Sequence, residues 1–346
     1  MKKLLTALCV VALLGMTACQ DDEPDVDNPT GDGTEHPDTN PAGEGIYNPG
    51  EKISTVVYSD DRAAEVWLWQ DDKLQSVNEG ESCGGYTPLM DFVYDGWRLA
   101  QTTMYGDFAA TVDYRYAGDK LSEVIAFADN MEAVSIGFDH NAAGKISHLS
   151  LNVNNALLNW VLQMFGGGFM NIAPLTSQSK VVVDTTTFNV NLDWQGDNVM
   201  QACFSGVVTG SVTLGEIGQM VDLEAMLGEF ASFLSMLDDT TAFPMQVAIN
   251  DTIGYTYDNQ HNPYCGFLGA LDPANLSANN ALTVNTSGMA TIVITVQIPY
   301  MGNLPFTIPY PLPAESMVYT YTYDEAGYPL TVTDGEGNVT EYSYQQ

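Results

Sequence analysis

The sequence predicts a mainly β protein, an antiparallel meander of repeated hairpins curling into a barrel-like or sandwich sheet, with two helical insertions. Three observations predict it. Strand-length stretches alternate aromatic or β-branched residues with polar ones, a period of two that buries one face of a strand. Short runs of Asp, Asn and Gly separate those stretches, supplying the side-chain caps and positive φ values of tight hairpins. The 346 residues are 45% apolar, enough to bury a sizeable core in one large domain.

The chain opens with "MKKLLTALCVVALLGMTAC", in which Lys2 and Lys3 precede an apolar run and small residues lead to Cys19. This is an export signal, too short and wrongly flanked for a membrane span, so residues 1–19 are set apart from the fold. "GMTAC" resembles the lipobox of bacterial lipoproteins, and that resemblance implies a thioether-linked diacylglycerol on Cys19. More than one acyl chain gives stable anchoring, since each buried methylene contributes about 0.8 kcal/mol. Gln20, Asp21, Asp22 and Glu23 follow. They are similar to the acidic export signal that sends Bacteroidota-type lipoproteins to the outer face of the outer membrane, which implies a protein facing the cell exterior.

Residues 20–50 are rich in Asp, Pro and Gly and almost without apolar side chains. Such a stretch cannot repay the entropy of ordering, and reads as an acidic tether of roughly 30 Å r.m.s. reach. Ile46 and Tyr47 mark its approach to the folded body, a single repeat-built domain over 51–346.

Seven stretches share one grammar: Glu65 to Val77, Asp91 to Met104, Val112 to Phe127, Val134 to Leu151, Phe188 to Phe204, Ile253 to Leu268 and Tyr319 to Thr333. Each reads as strand, turn, strand. "TDGEGNVTEYSY" adds a hairpin through Asp334, Gly335, Gly337 and Asn338, and Ala290 to Pro299 with Leu304 to Tyr310 makes another, turning at Gly302 and Asn303. The spacings are too irregular for a propeller or a regular solenoid, whereas curling removes the exposed edges of a flat sheet.

Two insertions break the pattern. Ala156 to Phe165 form an apolar block ending at Gly166, Gly167 and Gly168, predicting a helix over about 154–166. Ile217, Met220, Leu223, Leu227, Phe230, Leu234 and Leu237 recur at three and four, predicting an amphipathic helix over about 216–237 that caps the sheet. Met220, Met226 and Met236 would otherwise offer an adaptable apolar surface.

The grammar at Tyr321, Tyr323, Asp324, Gly327 and Leu330 resembles the YD repeats of bacterial Rhs-type shells. The mature chain as a whole is more similar to Bacteroidota lipoproteins of the DUF4595 class, and "YTYDNQHNPYCGF" looks like a variant of their repeat. That resemblance implies a porin-like fold and an address in the cell envelope, and it carries no catalytic residues.

Ten basic residues against 44 acidic ones give a net charge of -34, which repels nucleic acid and anionic lipid headgroups. No catalytic residue is identifiable. Carboxylates are so plentiful that a glycosidase pair cannot be picked out, since that chemistry needs a defined separation. Asp95, Asp139, Asp258 and Asp324 recur at one place in the repeat, where an Asx turn accounts for them. "TDGEGN" offers oxygen ligands but not the spacing of a calcium loop, and His36, His140, His148 and His261 show no paired metal spacing. No metal and no cofactor is expected. Cys83, Cys203 and Cys265 leave either one disulfide and one thiol or three thiols, and no His or Asn frames them as nucleophiles. No phosphate-binding loop or Gly-x-Ser-x-Gly elbow is present; "FGGGF" lacks the Lys and hydroxyl residue of the former. Many of the 18 Tyr and 5 Trp lie on strands, where alternation assigns half to the core and leaves the others free to stack on sugars. The expected function is a lipid-anchored, non-catalytic binding or envelope-associated module whose ligand is a glycan or another envelope component. The alternative is a carbohydrate-active hydrolase using an unrecognised carboxylate pair.

Overall fold

The computed structural model describes residues 47–345 apart from 48, 61, 81–84, 107–108, 129, 155–181, 214–240, 268–272 and 299–301. Its strands are β1 (Ile53–Tyr58), β2 (Glu65–Gln70), β3 (Lys73–Gly80), β4 (Tyr86–Asp95), β5 (Arg98–Met104), β6 (Ala110–Ala117), β7 (Lys120–Ala128), β8 (Met131–His140) and β9 (Ile146–Val153). They continue as β10 (Val182–Gln195), β11 (Asn198–Thr213), β12 (Ala242–His261), β13 (Asn279–Ile298), β14 (Gly302–Val318), β15 (Thr320–Tyr323), β16 (Pro329–Thr333) and β17 (Val339–Tyr344).

Strands adjacent in the chain pair antiparallel from β1 to β14 and from β15 to β17, and β1 pairs with β17 as well as with β2. β14 and β15 follow one another through Tyr319 as a single stave, so the 17 strands form a ring of about sixteen. Two backbone bonds flank the seam: Ser59 N donates to Val339 O at 2.8 Å and Gln345 N to Lys52 O at 2.8 Å. The sheet is therefore a meander closed on itself, a barrel and not a sandwich.

The inner face is apolar. On β11 it carries Val199, Ala202, Val208 and Val212; on β13, Val284, Ala290, Ile292, Ile294 and Val296. Between them, facing out, lie Ser205, Thr209 and Ser211, and Asn285, Ser287, Thr291 and Thr295. A barrel wall sunk in lipid shows the reverse pattern, apolar outside and polar inside.

The repeated aromatics close the ring. At the rim that carries the β2–β3, β4–β5, β6–β7 and β10–β11 turns, Trp69 Nε1 donates to Ile53 O, Tyr94 Oη to Leu74 O, Tyr116 Oη to Leu99 O and Trp194 Nε1 to Ile146 O, all at 2.7–3.0 Å. Tyr257, Tyr321 and Tyr344 continue the series to Val199 O, Ala281 O and Pro329 O. The residue before each of the first four acceptors is a cation that lies over the same aromatic ring: Lys52 on Trp69, Lys73 on Tyr94, Arg98 on Tyr116 and Lys145 on Trp194, at 5.1–5.9 Å from the centroid. Lys52, Arg98 and Lys145 also reach Asp72, Asp119 and Asp197 in the turn beyond. Each hairpin is thus clasped by the one before it. Gly96, Gly118 and Gly196 open three of these turns at φ of 58–67°, which a side chain would strain.

β14 leaves an edge uncovered. β13 pairs with it from Gly302 to Val318, while β16 pairs with β15 and β17 and not with β14, so among the described residues no strand pairs along the other side of β14. Pro305, Pro309 and Pro311 share one parity and are exposed. Lacking N–H groups, they sit where no ladder bond to β13 is needed, and between Gly302 and Leu312 they leave the free edge only the N–H groups of Asn303 and Thr307.

Three expectations are corrected. The two helical insertions are not borne out: the sole helical element described is a 3-10 turn, Pro273–Leu276. Asn154, the start expected for the first helix, extends the ladder instead, its N donating to Ala133 O and its Nδ2 to Glu132 O. Residues 155–181 and 214–240, with Met220, Met226 and Met236, lie outside the described residues. The stretch Ile253 to Leu268 is not a hairpin, because β12 ends at His261 and Pro263 cannot donate to a ladder. Asn262 folds the chain there, giving Nδ2 bonds to Ala274 O and Ser277 O and accepting from Tyr264 N. Gly302 and Asn303 are not the turn but the start of β14, paired with Ile298 and Gln297.

Candidate functional site

Tyr264 and Phe267, from the loop that replaces the expected hairpin, point into the barrel. Phe267 packs against Trp67 at 4.7 Å, Tyr47 at 5.2 Å and Phe92 at 6.1 Å between ring centroids. Tyr47 is buried, and its hydroxyl donates to Pro263 O. Tyr47 is thus packed inside the fold, four residues ahead of the boundary expected at 51. Burial above all, with neighbouring tyrosines, holds the Tyr47 hydroxyl well above its ordinary range, so it stays a neutral donor. The loop and Tyr47 together plug the barrel.

Beyond the plug the inner face turns polar. Val56 pairs with both Glu65 and Tyr342, and Val56 and Trp67 are buried on the inner side, so Glu65 and Tyr342 face inward as well. Glu65 Oε1 accepts from Tyr58 Oη at 2.6 Å and Oε2 from Trp67 Nε1 at 3.0 Å. Tyr264 hydrogen-bonds Tyr342, their rings meeting edge to face at 5.9 Å. Burial raises Tyr58, and Glu65 raises it further; burial pushes Tyr342 up to about 12. Arg62 lies 3.7 Å from the Tyr58 ring centroid at the entrance, its Nε held 2.9 Å from both oxygens of Asp60.

Glu79 stands directly opposite Glu65 in the β2–β3 ladder, so their side chains share this face. Both are half-buried, and among the described residues no group pairs with the Glu79 carboxylate. Like charges set opposite each other destabilise a sheet. The cluster is therefore acceptor-rich and lined with aromatic rings, and it favours a ligand offering hydrogen-bond donors.

The structure disperses the residues singled out in the sequence. Cys19 and Cys83 lie outside the described residues. Asp324 forms the expected Asx turn, accepting from Ala326 N and Tyr328 N at 2.8–2.9 Å, and Asp334 does the same for Glu336 N and Asn338 N. Asp258 accepts from Gln260 N, Asn280 and Tyr323 Oη, tying the plug loop to the last repeat. Asp139 instead faces His148, with 2.9 Å between Oδ2 and Nδ1. His261 stacks on Tyr328 at 4.8 Å, and burial lowers His140. Among the described residues no three His, Cys, Asp or Glu side chains gather to hold a metal ion. Cys203 is a free thiol; Cys265 is disulfide-bonded to a cysteine outside the described residues. Sequence reasoning missed Glu65 and Glu79, because a facing pair becomes visible only once the hairpin register is known.

No family model matches the chain, and no curated protein does. Among solved structures, a porin-like protein from Bacteroides uniformis overlaps 85% of this chain and 98% of its own, at 8% identity and a TM-score of 0.27.

Proposed function

We propose that this is a lipid-anchored protein of the outer membrane, held at Cys19 and facing the cell exterior. Its barrel stands clear of the bilayer and works as a non-catalytic binding module for a hydroxyl-rich envelope component such as a glycan. The observation that carries this reading is the wall itself, polar outside and apolar inside, which suits a barrel in water at the end of an acidic tether. The binding face is the cluster of half-buried Glu65, Glu79, Tyr58 and Tyr342, backed by the buried Trp67. Sugars present the donors that the Glu79 carboxylate accepts and the C–H faces that the tyrosine rings cover. Anionic ligands fit poorly, since the cation at the entrance, Arg62, is already held by Asp60. Hydrolysis is the less favoured reading because both oxygens of Glu65 are already occupied as acceptors.

Two experiments test the proposal. In cells, Cys19→Ser should release the protein from the membrane fraction without detergent, and protease added to intact cells should digest the native form. A form protected until lysis contradicts the surface address. In vitro, residues 47–346 are screened against neutral, amino and acidic glycans; neutral or amino glycans should be retained, with binding weakened at least ten-fold by Glu79→Gln. A blank screen defeats the glycan reading, and turnover of a bound glycan replaces it with the hydrolase.

A further inference from the structure

Halfway along the sheet formed by β11 to β14, the apolar inner face is interrupted by one carboxylate. Asp251 on β12 pairs with Phe204 on one side and Gly288 on the other, in the inward parity of Val247 and Tyr255. A Cβ placed on Gly288 would lie 2.7 Å from Asp251 Oδ1 and 2.9 Å from Leu312 Cδ1, so the carboxylate and the leucine rest over bare backbone. Across β12 the same device recurs at Gly206, where a Cβ would lie 2.2 Å from the Phe188 ring, itself stacked on Phe204 at 5.5 Å. The inner face loosens just here. Phe204, Ile249, Ile253, Tyr310 and Leu312 are half-buried around Asp251, whereas Val208, Val247, Tyr255, Val284 and Ala290 on the same face are buried.

Among the described residues the carboxylate has no counter-charge. Asp251 Oδ1 accepts from Thr252 N at 2.8 Å, and among the described residues Oδ2 has no partner. No Lys or Arg occurs anywhere after Lys180, so the strands from β10 to β17 hold no cation to offer it. Burial holds its carboxyl above the ordinary aspartate range, the Thr252 amide opposing. A partly buried, unpaired carboxylate among apolar side chains costs stability, and glycines at two neighbouring wall positions give up packing as well.

We infer that this recess binds an apolar organic cation, its ammonium group paired with Asp251 Oδ2 and its hydrocarbon or aromatic body lying against Phe204, Ile249, Ile253, Tyr310 and Leu312. The site is separate from the Glu65 cluster and stands whether or not that cluster takes a glycan.

The probes are phenethylamine, 2-phenylethanol and 3-phenylpropionate, similar in shape and differing in charge, titrated calorimetrically into the 47–346 protein at physiological salt. The amine should bind at least ten-fold tighter than the alcohol, and the acid should show no binding. Asp251→Asn should bring the amine down to the level of the alcohol while melting no lower than the parent, since it removes a charge the fold does not pair. Retention of the amine by Asp251→Asn would assign its binding to the general negative charge and overturn the inference. Equal binding of the acid, or silence from all three probes, would overturn it too.

Discussion

Tyr94→Phe combined with Tyr116→Phe removes two adjacent hydroxyl clasps and leaves both rings in place. Each hydroxyl donates to a backbone carbonyl of the preceding hairpin, Leu74 O at 3.0 Å and Leu99 O at 2.9 Å. A neutral hydrogen bond of this kind contributes about 1 kcal/mol net. Phe keeps the ring under Lys73 and Arg98, so the cation contact is largely retained. The pair should therefore cost about 2 kcal/mol, which for a domain of this size lowers Tm by roughly 3 °C. Differential scanning calorimetry measures it, with urea titration checking that the slope is unchanged. Tyr86→Phe, at a residue 58% exposed, is the control and should leave Tm where it was. A double variant melting with the parent would show that the ring is held by packing and ladder bonds alone.

Alkali should unfold the barrel from about pH 10 upward. Tyr47, Tyr264 and Tyr342 are raised by burial above the unfolded value of about 10, so the stability they contribute is complete below that pH and is lost as pH rises through the folded range. Circular dichroism across pH 8–13 should show this loss; a flat profile would contradict it. Replacing Pro305, Pro309 and Pro311 together by Thr supplies donors to the free edge of β14. It should produce concentration-dependent association by light scattering, whereas Thr307→Pro should stay monodisperse to the same degree as the parent. Gly206→Ala should cost about 1–3 kcal/mol in urea unfolding, because the added methyl must displace the Phe188 ring. No change would mean that this ring moves freely.

The repeat grammar was legible because its causes are local. Alternation places Trp67 and Leu74 inward, and Asp324 and Gly327 close their turn by bonds spanning four residues at most. Expectation failed where a local signal met a non-local competitor. Ile253 to Leu268 begins as a repeat, yet Tyr264 and Phe267 gain more burial against Tyr47 and Trp67 than a strand would give them. An apolar block ending in glycines suggested a helix from about residue 154, but it carries no information about what lies beside it, and Asn154 answers to the β8 backbone. The candidate sites were the least legible part. Glu65 faces Glu79, and Asp251 rests over Gly288, through register and curvature that many strands set together.

By itself the sequence determined the strands and their tight turns, since propensity, periodicity and charge act over a few residues. The tertiary structure alone decided that the meander closes. Pairing Ile53 with Tyr344 brings together residues nearly 300 positions apart, at a loop-closure entropy no local pattern encodes. It is repaid only when the apolar faces of all the staves meet. Closure also decided which residues look inward, and so turned scattered carboxylates into two that face each other and one that stands alone.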